Sequence, residues 1–183
     1  MNLVIHPEDD TTLMLNVLYE GVAAKVISSP LSRRQMRSCI RNLAVQDRIF
    51  LLGHGSAAGL LYRSAAVATA FSGLVISHAH AFPLRQHGAN LVGIWCHAVA
   101  FARRERLHGL FSGMIITELS EAREQHVATT QAELECENLK LFRRFRCLLD
   151  ANVPLADIPG LMPGLDDTRS ELTVFNYKSF FYL

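Results

Sequence analysis

Apolar positions along the chain follow two rhythms. Short apolar runs of strand length occupy residues 3–5, 25–28, 49–53, 91–95 and 113–117. Between them, apolar residues recur every three or four positions, the spacing of a helix with one buried face. Residues 10–20 read as a helix closed by Gly21. Ser32 and Gln35 have the spacing of a capping box, with Leu31 and Met36 as a hydrophobic staple, so a helix begins there and buries Met36, Ile40 and Leu43. Residues 77–87 predict a helix ending at Gly88, its start disturbed by Pro83. Residues 97–107 predict another, with Arg103, Arg104 and Arg106 in a cationic last turn and Gly109 as its stop. Thr130 and Glu133 open a long helix whose buried face is Leu134, Leu141, Phe142, Phe145 and Leu149.

The remaining segments are less regular. Residues 59–62 and 73–76 suggest a small hairpin or strand pair. The Pro/Gly-rich stretch 154–164 predicts a loop. Residues 172–183, rich in β-branched and aromatic side chains, predict a terminal strand. Apolar runs alternating with helices imply an α/β fold, with a mostly parallel sheet, right-handed crossovers and helices on both faces. The 183 residues suit one domain, 1–183.

Half the residues are hydrophobic and 19% are charged, so a packed core is expected and disorder is not. The net charge of +1 gives no general reason to expect nucleic acid or an anionic membrane as partner. No apolar stretch is long enough to span a membrane, and residues 1–7 do not resemble a signal peptide. The four cysteines, Cys39, Cys96, Cys136 and Cys147, contain no C-x-x-C pair. A cytoplasmic protein with reduced thiols is the expectation, and Cys39, Cys136 and Cys147 read as small core residues.

Two of the apolar runs end in reactive side chains. Ile49–Gly53 leads into His54-Gly55, and Leu91–Trp95 leads into Cys96. In open α/β sheets ligands bind beyond the carboxyl ends of strands, so an imidazole and a thiol at two such ends can share a cleft. Cys96, ahead of the 97–107 helix, is expected to have its thiolate favoured by the helix dipole. Gly55, with no β-carbon, lets its backbone N–H approach a substrate and join that of Cys96 in an oxyanion site.

His-Gly after one hydrophobic strand and Cys after a second, 42 residues on, resembles the caspase-like cysteine peptidases, whose histidine lies about 50 residues upstream. That clan includes caspases, legumains, gingipains and separases. The similarity covers roughly residues 25–117, including Gly59-Leu60-Leu61-Tyr62 after the His-Gly pair, and suggests a divergent member of prokaryotic type. The resemblance implies a caspase-hemoglobinase three-layer sandwich. It also implies peptide-bond hydrolysis by a Cys96–His54 dyad with Gly55 at the oxyanion site, a protein or peptide substrate and no cofactor. Ser56, Trp95, His97 and Glu118 are candidates for lining the cleft. The chain departs from the caspase pattern Gln-Ala-Cys-Arg-Gly, reading Ile94-Trp95-Cys96-His97-Ala98.

Alternatives stay open at this level. A catalytically inactive caspase-like fold serving as a binding or regulatory module fits the same pattern, with Trp95 and His97 in its favour. A small-molecule enzyme or sensor has neither a dinucleotide fingerprint nor a P-loop behind it. His78, His80, His87 and His97 invite a metal, but His78 and His80, two apart on a helix, would not converge, so no metal is expected. The basic groups Arg143, Arg144, Arg146 and Arg103, Arg104, Arg106 read as solvated helix faces. Glu118, Glu121 and Glu124 either border the cleft or form a solvated helix start. The terminal strand, placed at a sheet edge, would allow a homodimer.

Overall fold

The computed structural model describes residues 1–7, 9–63 and 71–183. Strand β1 (Asn2–Ile5) pairs in parallel with β2 (Ala24–Ile27) on one side and β3 (Ile49–Leu52) on the other. A short antiparallel sheet follows, β4 (Gly55–Ser56), β5 (Gly59–Arg63) and β6 (Phe71–Ile76). The main sheet resumes with β7 (Leu91–Ile94) and β8 (Leu110–Ser112), both parallel to β3. It closes with β9 (Phe180–Tyr182), antiparallel on β8. The order β2-β1-β3-β7-β8-β9 makes a six-stranded, mostly parallel sheet.

Helices cover both faces, as the near-continuous apolar strands require. Alternate residues of each strand serve opposite sides. Leu3, Ile5, Ile49, Leu51 and Leu91 pack under α1 (Arg33–Arg41), α2 (Ala81–Arg85) and α3 (Ala98–Glu105), meeting Met36, Ile40, Leu84 and Phe101. Val4, Phe50, Leu52, Val92 and Ile94 face the 3-10 helix Asp10–Leu18 and a long helix near the C-terminal end of the chain, meeting Leu15, Leu18, Leu141 and Phe145. That side also carries α4 (Leu119–Glu124), α5 (Gln131–Asp150), α6 (Ile158–Leu161) and α7 (Glu171–Tyr177).

Local signals placed several elements well. The Ser32–Gln35 capping box forms in both directions, at 3.3 Å and 3.0 Å. The Thr130 side chain caps α5 by accepting from the Glu133 N–H at 3.2 Å, and the five apolar residues expected on its inner face are buried there. Residues 59–63 and 71–76 form the expected antiparallel pair.

Five expectations are corrected. Residues 113–117 are not a strand: the chain pairs three residues earlier, as β8. After Ser112 it is carried by side chains, the Ile116 N–H donating to Asn176 Oδ1 at 2.8 Å. Gly109 does not stop α3. Arg106 does, with φ 53°, while Gly109, at φ 135°, lies where a Cβ would stand 2.5 Å from the Leu91 carbonyl oxygen. The 154–164 stretch is not all loop, because Pro159 and Pro163 sit in first helical turns, where a missing N–H costs nothing, and Ile158 and Met162 are buried. Residues 171–177 are helix α7, with Leu172, Thr173, Asn176 and Tyr177 buried at helical spacing, and only Phe180–Tyr182 pair as a strand. The 77–87 helix is split into a 3-10 turn, His78–His80, and α2, in which Pro83 falls in the first turn.

Candidate active site

Strands β1, β3 and β7 are adjacent and parallel, so their carboxyl ends lie side by side. The chain moves outward from β1 to β2 and then returns across β1 to β3. This reversal of strand order is where an open α/β sheet leaves a crevice. His54 follows β3, Cys96 follows β7, and a segment running from His6 to Thr12 follows β1.

The segment after β1 is tied down by its own polar groups. Asp9 caps the 3-10 helix, its Oδ1 accepting from the Thr11 N–H at 3.0 Å and the Thr11 hydroxyl at 2.7 Å. The Thr11 hydroxyl has one proton, and Asp9 takes it. Its oxygen, 2.6 Å from His54 Nε2, is therefore left to accept. This accounting makes His54 Nε2 the donor, which in the neutral ring leaves Nδ1 with a free lone pair. Asp9 Oδ1 itself lies 3.7 Å from His54 Nε2, and Arg63 Nε is 3.3 Å from Asp9 Oδ2. Burial works to raise the Asp9 carboxyl. Hydrogen bonds from Thr11, with the charges of His54 and Arg63, outweigh it and hold the group below its ordinary value. Behind this segment His6 is buried, and the desolvation drives its pKa down to about 4. Its Nδ1 lies 3.1 Å from the Tyr19 hydroxyl, which gives its own proton to Asn16.

Cys96 sits just before α3, after the buried Trp95. His97, exposed and left-handed at φ 68°, is the N-cap of α3, and its N–H donates to the Gly113 carbonyl at 3.0 Å. The thiol turns away from the helix axis toward the segment after β8. Its Sγ is 3.9 Å from the Ile115 carbonyl oxygen and 3.6 Å from Glu121 Oε1. The other carboxylate oxygen, Oε2, accepts from the Thr117 N–H at 2.8 Å and the Glu118 N–H at 3.2 Å, so Glu121 is held in place. Ile116 is fixed in turn, its carbonyl accepting from Asn138 and Asn176, both buried and both at 3.0 Å. A dipole-favoured thiolate was the expectation from sequence. The structure reverses it, since burial, and then the Glu121 charge, push the Cys96 thiol up to about 12.

His54 and Cys96 both line one small cavity of about 30 Å³, walled also by Trp95, Ile94, Ile115 and Phe142. That volume matches about one water molecule. The hydrogen bonds of the two groups run to other partners: His54 to Thr11, Cys96 toward Glu121.

Gly55 has a packing role that sequence did not reveal. A Cβ built there would fall onto the Trp95 ring, and one at Gly93 would lie 2.8 Å from Trp95 Cζ3. Trp95 thus occupies space left by two glycines and donates from Nε1 to the Ser56 carbonyl at 3.1 Å. Ser56 accepts with its hydroxyl from the Ala58 N–H at 3.1 Å. Glu118 starts α4, and its neighbour Glu121, not Glu118, makes the contact with the thiol. Asp9 and Thr11 went unread, although an aspartate two residues before a threonine, ahead of a helix, is a capping signal. Cys136 and Cys147 are exposed and Cys39 is half-buried, so none of the three is the fully buried residue expected. No protein-family model, no curated protein and no solved structure matches the chain. Among the described residues, no helix is long and apolar enough to cross a membrane.

Proposed function

We propose that this chain is a cysteine peptidase of caspase-like type, with Cys96 as nucleophile and His54 as general base and acid. The observation that carries the reading is that both side chains, from the ends of neighbouring strands β3 and β7, line one cavity at the switch point of the sheet. The His54 tautomer supports it, because Nε2–H held by Thr11 leaves Nδ1 as the basic atom. In the reaction Nδ1 takes the thiol proton and the thiolate adds to the scissile carbonyl. The oxyanion meets the backbone N–H groups of Gly55 and Cys96. Collapse breaks the C–N bond, and the imidazolium returns its proton to the leaving amine. Water, deprotonated by the same nitrogen, then hydrolyses the thioester and frees the thiol.

The structure is that of a resting state on this reading. The Cys96–Glu121 contact must open before the thiolate forms, and an entering peptide is what displaces it. Four free cysteines suit such an enzyme to a reducing compartment, and the cytoplasm is the one proposed. A second reading, a non-catalytic binding module on the same fold, draws on that contact, since a thiol with a pKa of about 12 is a poor nucleophile. Incubation of a diverse peptide library with wild type, Cys96→Ala and His54→Ala separates the two. Cleavage by wild type alone supports the peptidase. A folded wild type that cleaves nothing, or a Cys96→Ala variant that cleaves equally well, refutes it.

A further inference from the structure

The small net charge of the chain hides a segregation. Segments 29–48 and 77–109, which supply α1, α2 and α3, hold nine arginines, no lysine and two carboxylates, Asp47 and Glu105. That is a formal +7 on one layer, leaving −6 for the rest of a chain whose total is +1. The Arg103, Arg104 and Arg106 group, which read as a solvated helix face, is here joined by a second, on α1, over the same side of the sheet, whereas Arg143, Arg144 and Arg146 lie on α5 across it.

Most of these guanidiniums have no carboxylate. Arg104 pairs with Glu105 at 2.8 Å, and Arg85 donates to the Glu105 carbonyl at 2.8 Å. Arg33, Arg34, Arg37, Arg41, Arg103 and Arg106 form no ion pair with any carboxylate among the described residues. All of them except Arg103 border two depressions. One, of about 580 Å³, is walled by Arg33, Arg34, Arg37 and Arg41. The other, of about 720 Å³, is walled by Arg85, Arg104 and Arg106 with His78. Both are far larger than the cavity beside Cys96.

Two buried donors on this layer also lack acceptors, one on Arg37, which walls the first depression, and one on His80. Arg37 Nε is shielded from solvent with no partner among the described residues, and so is His80 Nε2. His80 Nδ1 accepts from the Ser77 N–H at 3.1 Å, so the ring proton is on Nε2. A buried donor without an acceptor is costly, and a phosphate oxygen seated in the first depression would satisfy the one on Arg37. Between the arginine groups, α2 exposes Phe82, 59% accessible, on the same helical face as Arg85 three residues on.

We infer that the α1–α2–α3 face is a binding surface for single-stranded nucleic acid, its phosphates in the two arginine-lined depressions and a base stacked on Phe82. Arginine without lysine suits bidentate phosphate contact. Depressions favour a flexible strand over the flat plane of a bilayer, and an exposed aromatic among cations is how single strands are held without sequence preference.

The test is the fluorescence anisotropy of a labelled oligothymidylate of about twenty nucleotides, titrated with the intact chain at about 50 and 200 mM salt. Six free guanidiniums set a ceiling of roughly −4 on the slope of log affinity against log salt, so the fourfold rise in salt weakens binding by up to about three hundredfold. Arg33→Glu, Arg34→Glu and Arg41→Glu together, all exposed side chains, make the slope shallower by about 2 and weaken binding at least tenfold. Phe82→Ala weakens it about five- to a hundredfold. Thermal melts establish that each variant is folded. Absence of binding at the lower salt overturns the inference, as does a slope unchanged in the arginine variant. Capture of the chain by phosphatidylserine vesicles that the oligonucleotide does not compete away also overturns it and assigns the face to a membrane.

Discussion

The contact between Cys96 and Glu121 sets the reactivity of the thiol, and alkylation kinetics measure it directly. An ordinary thiol in water with a pKa of 9.0 is about one-tenth thiolate at pH 8. Burial and the Glu121 charge push Cys96 up to about 12. The thiolate fraction at pH 8 is then lower by about a thousandfold. Part of that loss returns, because a more basic thiolate is intrinsically more nucleophilic, with a Brønsted coefficient of about 0.4–0.5. The net expectation is that Cys96 reacts with iodoacetamide about 40-fold more slowly than an ordinary free thiol, even before its burial is counted. The rate should also keep climbing with pH to above pH 11, where an ordinary thiol has reached its plateau. Glu121→Gln keeps the side-chain shape and removes the charge, which lowers the thiol from about 12 and raises the rate at pH 8. Pulse alkylation with peptide-resolved mass spectrometry reads each cysteine separately in the native protein. A wild-type Cys96 that labels as fast as a free thiol at pH 8, and reaches its plateau by about pH 11 as an ordinary thiol does, would show that the Glu121 contact does not govern the sulfur.

Three further outcomes follow from the geometry. Thr11→Val removes the hydroxyl that accepts from His54 Nε2, so nitrogen NMR should show a mixed His54 tautomer in place of a single Nε2–H form; an unchanged pattern refutes the assigned proton. Gly55→Ala drives a Cβ into the Trp95 ring and should cost about 1–3 kcal/mol of stability by overpacking, read as a lower midpoint in urea. His6, with its pKa depressed from 6.5 to about 4, binds a proton more readily unfolded than folded. Its contribution is complete above pH 6.5 and is lost as pH falls toward 4, by up to about 3 kcal/mol. In denaturant titrations the stability of wild type relative to His6→Gln should therefore fall as pH drops from 6.5 toward 4, and a parallel pH dependence of the two would be the contrary result.

The parallel sheet and its helices were legible because burial on both faces demands uninterrupted apolar runs, and Ile49–Leu52 and Leu91–Ile94 supply them. Capping chemistry placed α1 and α5 for the same local reason. The misread segments are those where long-range contacts decide. Residues 113–117 are as apolar as a strand, yet two asparagines from α5 and α7 claim the Ile116 backbone. Residues 171–177 carry β-formers, but Leu172, Thr173, Asn176 and Tyr177 bury one side at helical spacing. At the site, strand-end position marked His54 and Cys96. The Asp9–Thr11 support arrives from β1, more than forty residues from the histidine it holds, and no short-range pattern links them. Glu121 stood in an acidic cluster whose members are indistinguishable until α4 turns one of them toward the sulfur.

The chain has one tryptophan, and it is Trp95. Its indole is nearly buried, crosses Phe101 at 5.7 Å between ring centroids, covers Gly55 and immediately precedes Cys96. All of the indole emission of this protein therefore originates beside the crevice. Anything that enters there, or that tilts the β4–β6 hairpin away from the sheet, changes the polarity around that one chromophore. The molecule carries its own optical gauge of occupancy, and an unlabelled sample in a fluorimeter is enough to read it.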